Sequence, residues 1–238
     1  MPRLNDEWTV LPHGPVRSLA PGLATVVGQI PMPLGNFPRR MTVVALPKGK
    51  SLIFSPVALH EDQMAEIETL GAPALIVIPN AGHRLDSRPF VERYPKAKVI
   101  TAPGSAKGVS EAVKVDATTA KLGKTAELVV VAGTAEGELA MLVHHEGGTT
   151  LVTNDIIGHV ATPQGPGAWV MSRLMGFGPR PQVPRLVRRM YIKDEKALAA
   201  QLRGWAALPG LVRLVPSHGD VIDQPAPVLE RLAHALGG

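Results

Sequence analysis

The sequence predicts an α/β layered sandwich, and three observations carry that expectation. Strand-like apolar runs such as "ATVVGQI", "ALIVI" and "AKVITA" alternate with amphipathic stretches of helical period. A second strand-rich block, "ELVVVAG", "ELAMLVHH" and "TTLVT", follows in mid-chain. Polar residues able to bind ligands then gather where three of the strands end.

The first third supplies most of the strands. "ATVVGQI" and "MTVVAL" are rich in β-branched residues, and "SLIF" follows "PKGK", an interval of hairpin length. In "HEDQMAEIETLG", Met64, Ile67 and Leu70 share one helical face, acidic residues fill the first turn, and Gly71 stands at the C-terminal end. "ALIVI" is a continuous apolar run between two prolines, the pattern of a central strand. "RPFVERY" reads as a short helix and "AKVITA" as another buried strand.

In the second half, "EGG" joins "ELAMLVHH" to "TTLVT" as a tight hairpin, with His144 and His145 at its tip. A long Gly- and Pro-rich stretch, about 156–190, reads as a loop holding at most a short helix near Val170 to Met175. Leu198, Leu202 and Trp205 then mark an amphipathic helix, and "GLVRLVP" a strand. Asp223 is expected to cap a last helix with Leu229, Leu232 and Leu236 on its inner face. No linker divides the chain, so residues 1–238 read as a single domain.

Composition narrows the function classes. With 238 residues, 45% of them hydrophobic, the chain has ample material for a core. It contains no cysteine, which excludes disulfides, thiolate metal sites and cysteine nucleophiles. No apolar run approaches the roughly 18 residues of a membrane span, and the first residues lack the apolar centre of a signal peptide. A cytoplasmic protein with no membrane association is therefore expected. The net charge of +5 concentrates in Arg173 to Lys193. Only 4% of residues are aromatic, so a stacking platform for nucleic acid is not expected, and an anionic small-molecule substrate accounts for the charge as well.

Three strand ends hold the candidate chemistry. "ALIVI" runs into "PNAGHRLD" with His83 and Asp86, "TTLVT" into "NDIIGH" with Asp155 and His159, and "LVRLVP" into "SHGD" with His218 and Asp220. Imidazole with carboxylate suits Zn²⁺, Fe or Mn²⁺. Each strand end alone is equally an ordinary surface turn; their coincidence carries the reading. Arg84 and Arg88 flank the first of them and are expected to bind an anionic substrate, unless they are simply solvated or paired with acids. His13, His60 and His234 have no such surroundings.

The order of these parts resembles the metallo-β-lactamase fold superfamily. The similarity rests on "LVVVAGTAEGELAMLVHHEGGTTLVTNDIIG", which follows that family's turn, hairpin and Asp-bearing strand, and on "LVRLVPSHGDVI", which matches its final-histidine segment. It covers the chain from about Met41 onward. The resemblance implies a four-layer αββα sandwich, with mixed sheets inside and helices on the outer faces. It also implies a metal site at the strand ends. Carried over residue by residue, His83 takes the place of the second histidine of the H-x-H-x-D-H loop and Asp86 that of the third; Asp155 is the late aspartate and His218 the final histidine. Ala81, Leu85 and Thr134 stand where other ligands belong. A second register of the loop begins at Asn80 and retains no ligand.

Under the first register His83, Asp86, Asp155 and His218 would hold one ion of Zn, or of Fe or Mn. The implied function is hydrolysis of an ester, amide or phosphoester at a reduced, mononuclear site, with Asp155, His159 and Asp220 as catalytic residues. The alternative is a metal-free relative that keeps the sandwich as a binding module, and a third reading is nucleic-acid binding through the basic loop. The substrate and the oligomeric state have no signature in the sequence.

Overall fold

Period-two alternation sends alternate strand residues of this protein into three different cores. Along the fifth strand, Ile76 and Ile78 turn to one side and Val77 to the other. In the mid-chain strand "LAMLVHH", Leu139, Met141 and Val143 share one face, while Ala140 and Leu142 share the opposite one. Strands apolar on both faces must be covered on both, and the chain provides the covers.

The computed structural model describes residues 4–32, 35–161, 163 and 165–237. One sheet orders β1 (Arg17–Ala20), β2 (Leu23–Met32), β3 (Gly35–Leu46), β4 (Lys50–Phe54), β5 (Ala72–Ile78) and β6 (Lys98–Thr101) in sequence. Its first four strands are antiparallel and its last pairings parallel. Helices α1 (Glu61–Glu68), α2 (Ser87–Arg93) and α3 (Ala106–Ser110) lie in the crossovers and beyond β6. Met64, Ile67, Phe90 and Val109 bring them onto the outer face of the sheet.

The other sheet is formed by β7 (Ala126–Val130), β8 (Leu139–His145), β9 (Gly148–His159), β10 (Leu211–Gly219) and β11 (Ile222–Asp223), in the order β11-β10-β9-β8-β7. Between β9 and β10 come α4 (Pro166–Met175), α5 (Arg185–Met190) and α6 (Glu195–Ala206), and α7 (Ala226–Ala235) closes the chain. Leu198, Leu202, Trp205, Leu229 and Leu232 pack α6 and α7 on the outer face of this sheet. Between the sheets lie Val44, Leu52, Phe54, Val77 and Ile100 from one side and Leu139, Met141, Val152 and Val215 from the other. The result is an αββα sandwich of two mixed sheets.

β3, an interior strand of the first sheet, meets β10 of the second. Arg40, buried within this seam, donates from Nε to Pro216 O (3.1 Å) and from Nη2 to Gly219 O (2.5 Å). Burial drives its pKa down to about 10, although Asp220 opposes that shift. The guanidinium thus ties the end of β10 to the first sheet.

Two expectations need correction. Asp223 does not cap the last helix. It belongs to β11, where it pairs with Arg213 (2.9 Å), and α7 starts after Pro225 without a side-chain cap. The stretch 156–190 is also more regular than a loop. β9 runs on to His159, because Ile156 and Ile157 still have a core to enter, and α4 and α5 occupy much of the remainder. The residues 162 and 164 lie outside the described residues. No helix among the described residues is long and apolar enough to cross a membrane.

Candidate metal centre

The site begins with the break after β5. Once Pro79 ends the strand, Asn80 turns its side-chain carbonyl back to accept from the N–H of Gly82 (2.8 Å) and of His83 (3.2 Å). This Asx turn folds "PNAGH" into a tight loop and aims His83 across the strand ends. β9 supplies Asp155 and the last residues of β10 supply His218.

These three side chains converge. His83 Nε2 lies 3.1 Å from Asp155 Oδ1 and 3.0 Å from His218 Nε2, and His218 Nε2 lies 2.9 Å from the same carboxylate oxygen. They form a group of three metal-capable residues with one donor atom each.

The outer nitrogens of both imidazoles are engaged. His218 Nδ1 donates to Pro38 O at 2.7 Å, and His83 Nδ1 meets Ser55 Oγ at 3.0 Å. A carbonyl oxygen only accepts, so neutral His218 carries its proton on Nδ1 and presents an Nε2 lone pair to the carboxylate. A cation held among the three atoms would relieve that opposition, and histidine held by its far nitrogen is the usual arrangement around a metal. Phe37 and Phe177 pack on the His218 ring, with centroids 4.7 and 5.3 Å away. Ser55 adopts φ +56°, in the left-handed region, where a serine stays only if its surroundings hold it.

The protonation states follow from the surroundings. Burial lowers the pKa of His83, the nearby Asp155 charge notwithstanding, which favours the neutral ring. Burial would raise the Asp155 carboxyl, but the positive charge and hydrogen bonds that His83 and His218 offer it when protonated outweigh burial and hold the group well below its usual range. Neutral imidazole and ionised carboxylate are what a metal requires of its ligands. Beneath them lies Glu138, whose pKa is pushed well up, first by burial and then by the charge of Asp155. Its Oε1 accepts from Ile156 N (3.2 Å). Asn80 Nδ2 donates to Asp155 Oδ2 at 2.7 Å and approaches Glu138 Oε2 at 3.3 Å. Oδ2 is thereby occupied and Oδ1 is left to face the imidazoles.

Of the four expected ligands, three come together. Asp86 does not join them. Its buried carboxylate is held by Arg39 Nη2 (2.5 Å), Ala58 N (3.0 Å) and Asn5 Nδ2 (2.7 Å). A fully buried guanidinium requires an anion, and Asp86 satisfies it.

Arg84 and Arg88 likewise face structural partners. Arg84 reaches Gly108 O and Glu111 (2.8 Å), while Arg88 reaches Ala112 O (3.1 Å) and Asp6. His159 and Asp220 sit side by side at the rim, with Asp220 N donating to His159 O (2.7 Å) and His159 Nδ1 3.4 Å from Asp220 O. Neither belongs to the three-residue group. Thr134 turns inward and donates to Val131 O.

Four contributors escaped the sequence reading: Ser55, Asn80, Glu138 and the stretch "FPRR" at 37–40. That stretch holds the site together from one strand. Phe37 packs on His218, the Pro38 carbonyl orients it, Arg39 captures Asp86, and Arg40 clamps the strand end that carries it. Paired arginines inside an apolar strand were the available signal.

No family model and no curated protein matches the sequence. Solved structures do match the fold. A metallo-β-lactamase from Pontibacter korlensis aligns with a TM-score of 0.62 at 15% identity, covering 92% of this chain and 98% of its own. One from Hirschia baltica gives 0.60 at 14% identity, covering 94% and 98%. The metallo-β-lactamase FIM-1 from Pseudomonas aeruginosa, in its mono-zinc form, gives 0.62 at 12% identity, covering 95% and 96%. The chain has the metallo-β-lactamase fold.

Proposed function

We propose that the protein is a hydrolase with a single divalent metal held by His83, Asp155 and His218. The observation that supports this most directly is the convergence of three donor atoms, 2.9–3.1 Å apart, with both imidazoles braced from behind. Two histidines and one carboxylate that leave further positions open form a catalytic donor set. Zn²⁺ is the first candidate, in keeping with the mono-zinc neighbour, and Fe or Mn²⁺ follow. Such an ion would polarise a carbonyl or phosphoryl oxygen and lower the pKa of water.

The chain's own groups would do the remaining work. Ser55 and Pro38 orient the two rings, Asn80 fixes the carboxylate, and Phe37 and Phe177 shield His218 from water. His159 and Asp220 at the rim are the groups we assign to proton transfer with solvent. A small ester, amide or phosphoester is the proposed substrate.

Chromogenic ester, amide and phosphodiester substrates, offered to protein loaded in turn with Zn²⁺, Mn²⁺ and Fe²⁺, test the reading. Turnover of one class, abolished by Asp155→Ala, is expected. Absence of turnover with every metal would favour the second reading, a binding protein without hydrolysis. The observation behind that reading is Asp86, whose withdrawal into an ion pair leaves the metal group with one carboxylate.

A further inference from the structure

Among the described residues, the exposed large hydrophobic side chains are Trp169, Val170, Leu174, Leu186, Met190 and Tyr191, all within α4, α5 and the residue after them. Leu174 is 70% exposed. Val170 and Leu174 stand one turn apart on α4, as do Leu186 and Met190 on α5, so each helix presents an apolar stripe. The opposite sides are used: α4 buries Ala168 and Ser172, and α5 buries Val187. An outward apolar face of this extent on otherwise ordinary helices marks a contact surface.

Charge identifies the kind of contact. From Ile156 to Lys193 the sequence has no acidic residue and six basic ones, Arg173, Arg180, Arg185, Arg188, Arg189 and Lys193. Arg188 is paired with Glu195, and Arg173 lies over the Trp169 ring, 4.1 Å from its centroid. Arg185 and Arg189 form a stripe beside Leu186 and Met190. A second copy of the chain docked on this face would set arginine against arginine, so self-pairing is opposed. An anionic partner is favoured, and the exposed Trp169 and Tyr191 are suited to a boundary between apolar and wet surroundings.

We propose that the face formed by α4 and α5 docks on anionic phospholipid bilayers. Leu174, Trp169, Leu186 and Met190 would enter the headgroup boundary, and the arginines would meet lipid phosphates, the chemistry by which amphipathic basic helices lie on membranes. This association is peripheral and independent of the metal reading.

The test is sedimentation of the full chain with vesicles of phosphatidylcholine alone, or of phosphatidylcholine and phosphatidylglycerol in equal parts. Partition into the anionic vesicles should be at least about tenfold stronger at low salt and should fall as salt rises. Trp169→Glu with Leu174→Glu, and separately Arg180→Gln with Arg185→Gln and Arg189→Gln, should each weaken it about tenfold without lowering the melting temperature. All these positions are on the surface, so folding should survive. Failure to bind anionic vesicles would overturn the proposal, as would binding indifferent to the Trp169 and Leu174 changes. Tight binding of polyglutamate or of a single-stranded oligonucleotide without vesicle binding would point to an acidic protein or nucleic acid instead. Self-association abolished by the same changes would assign the face to a second copy.

Discussion

Replacing Asp86 with alanine separates the structural account of that residue from a ligand's role. The substitution leaves Arg39 buried without its anion, and it removes the acceptor for Ala58 N and Asn5 Nδ2. Both partners are nearly inaccessible, with side-chain exposures of 5% and 0%, so solvent cannot compensate. Breaking such a pair costs about 3–5 kcal/mol. At about 2–4 °C per kcal/mol for a chain of this length, the melting temperature should fall by roughly 6–20 °C. Metal stoichiometry, read by elemental analysis on the folded protein at low temperature, should not change. The double variant Arg39→Met with Asp86→Leu should recover the part of the loss that comes from the stranded Arg39 charge, while Ala58 N stays without its acceptor. Loss of metal from folded Asp86→Ala, with little change in melting temperature, would refute the assignment and return Asp86 to the site.

Other outcomes follow from the same geometry. Ser55→Ala removes the partner of His83 Nδ1 and should weaken metal affinity about 10–100-fold, as measured by competition with a chelating dye; an unchanged affinity would mean that the ring needs no such support. Gly219 has φ +126°, and a Cβ there would lie 1.8 Å from the His159 carbonyl oxygen, so Gly219→Ala must displace the strand end that carries His218. Melting temperature and metal affinity should fall together, and an unaltered melting temperature would count against the described backbone. Asp116 accepts from Val99 N, and that bond holds its carboxyl below the ordinary value. Its contribution is therefore present above the unfolded pKa and lost as pH falls through the lower, folded one. Asp116→Asn should lower stability at neutral pH and flatten the acid limb of the stability curve; an identical limb would contradict it.

The fold was legible because its signal is local and repeated. Ile76, Val77 and Ile78, like Leu139 to Val143, show on their own that both faces of their strands are covered. His83, Asp155 and His218 were legible as polar residues at strand ends, a position that carries chemistry in any layered α/β fold. Asp86 was not, because its partner Arg39 lies 47 residues earlier and only the fold brings them together. The loop register that the resemblance implies, together with its place three residues after His83, made Asp86 look like a ligand. Ser55, Asn80 and Pro38 act through a hydroxyl, an amide and a main-chain carbonyl, groups so common that no pattern distinguishes them. Asp223 illustrates a local rule overridden by pairing: an acid before a helix reads as a cap until a facing arginine draws it into a strand.

The proposed centre would hold one metal ion through His83, Asp155 and His218 together. Its most direct test is elemental analysis of protein purified after metal-replete expression, beside the Asp155→Ala/His218→Ala variant. Close to one Zn, Fe or Mn per chain is expected in the parent, and none in a variant that remains folded by circular dichroism. Metal-free parent protein, or metal retained by the folded variant, would contradict it.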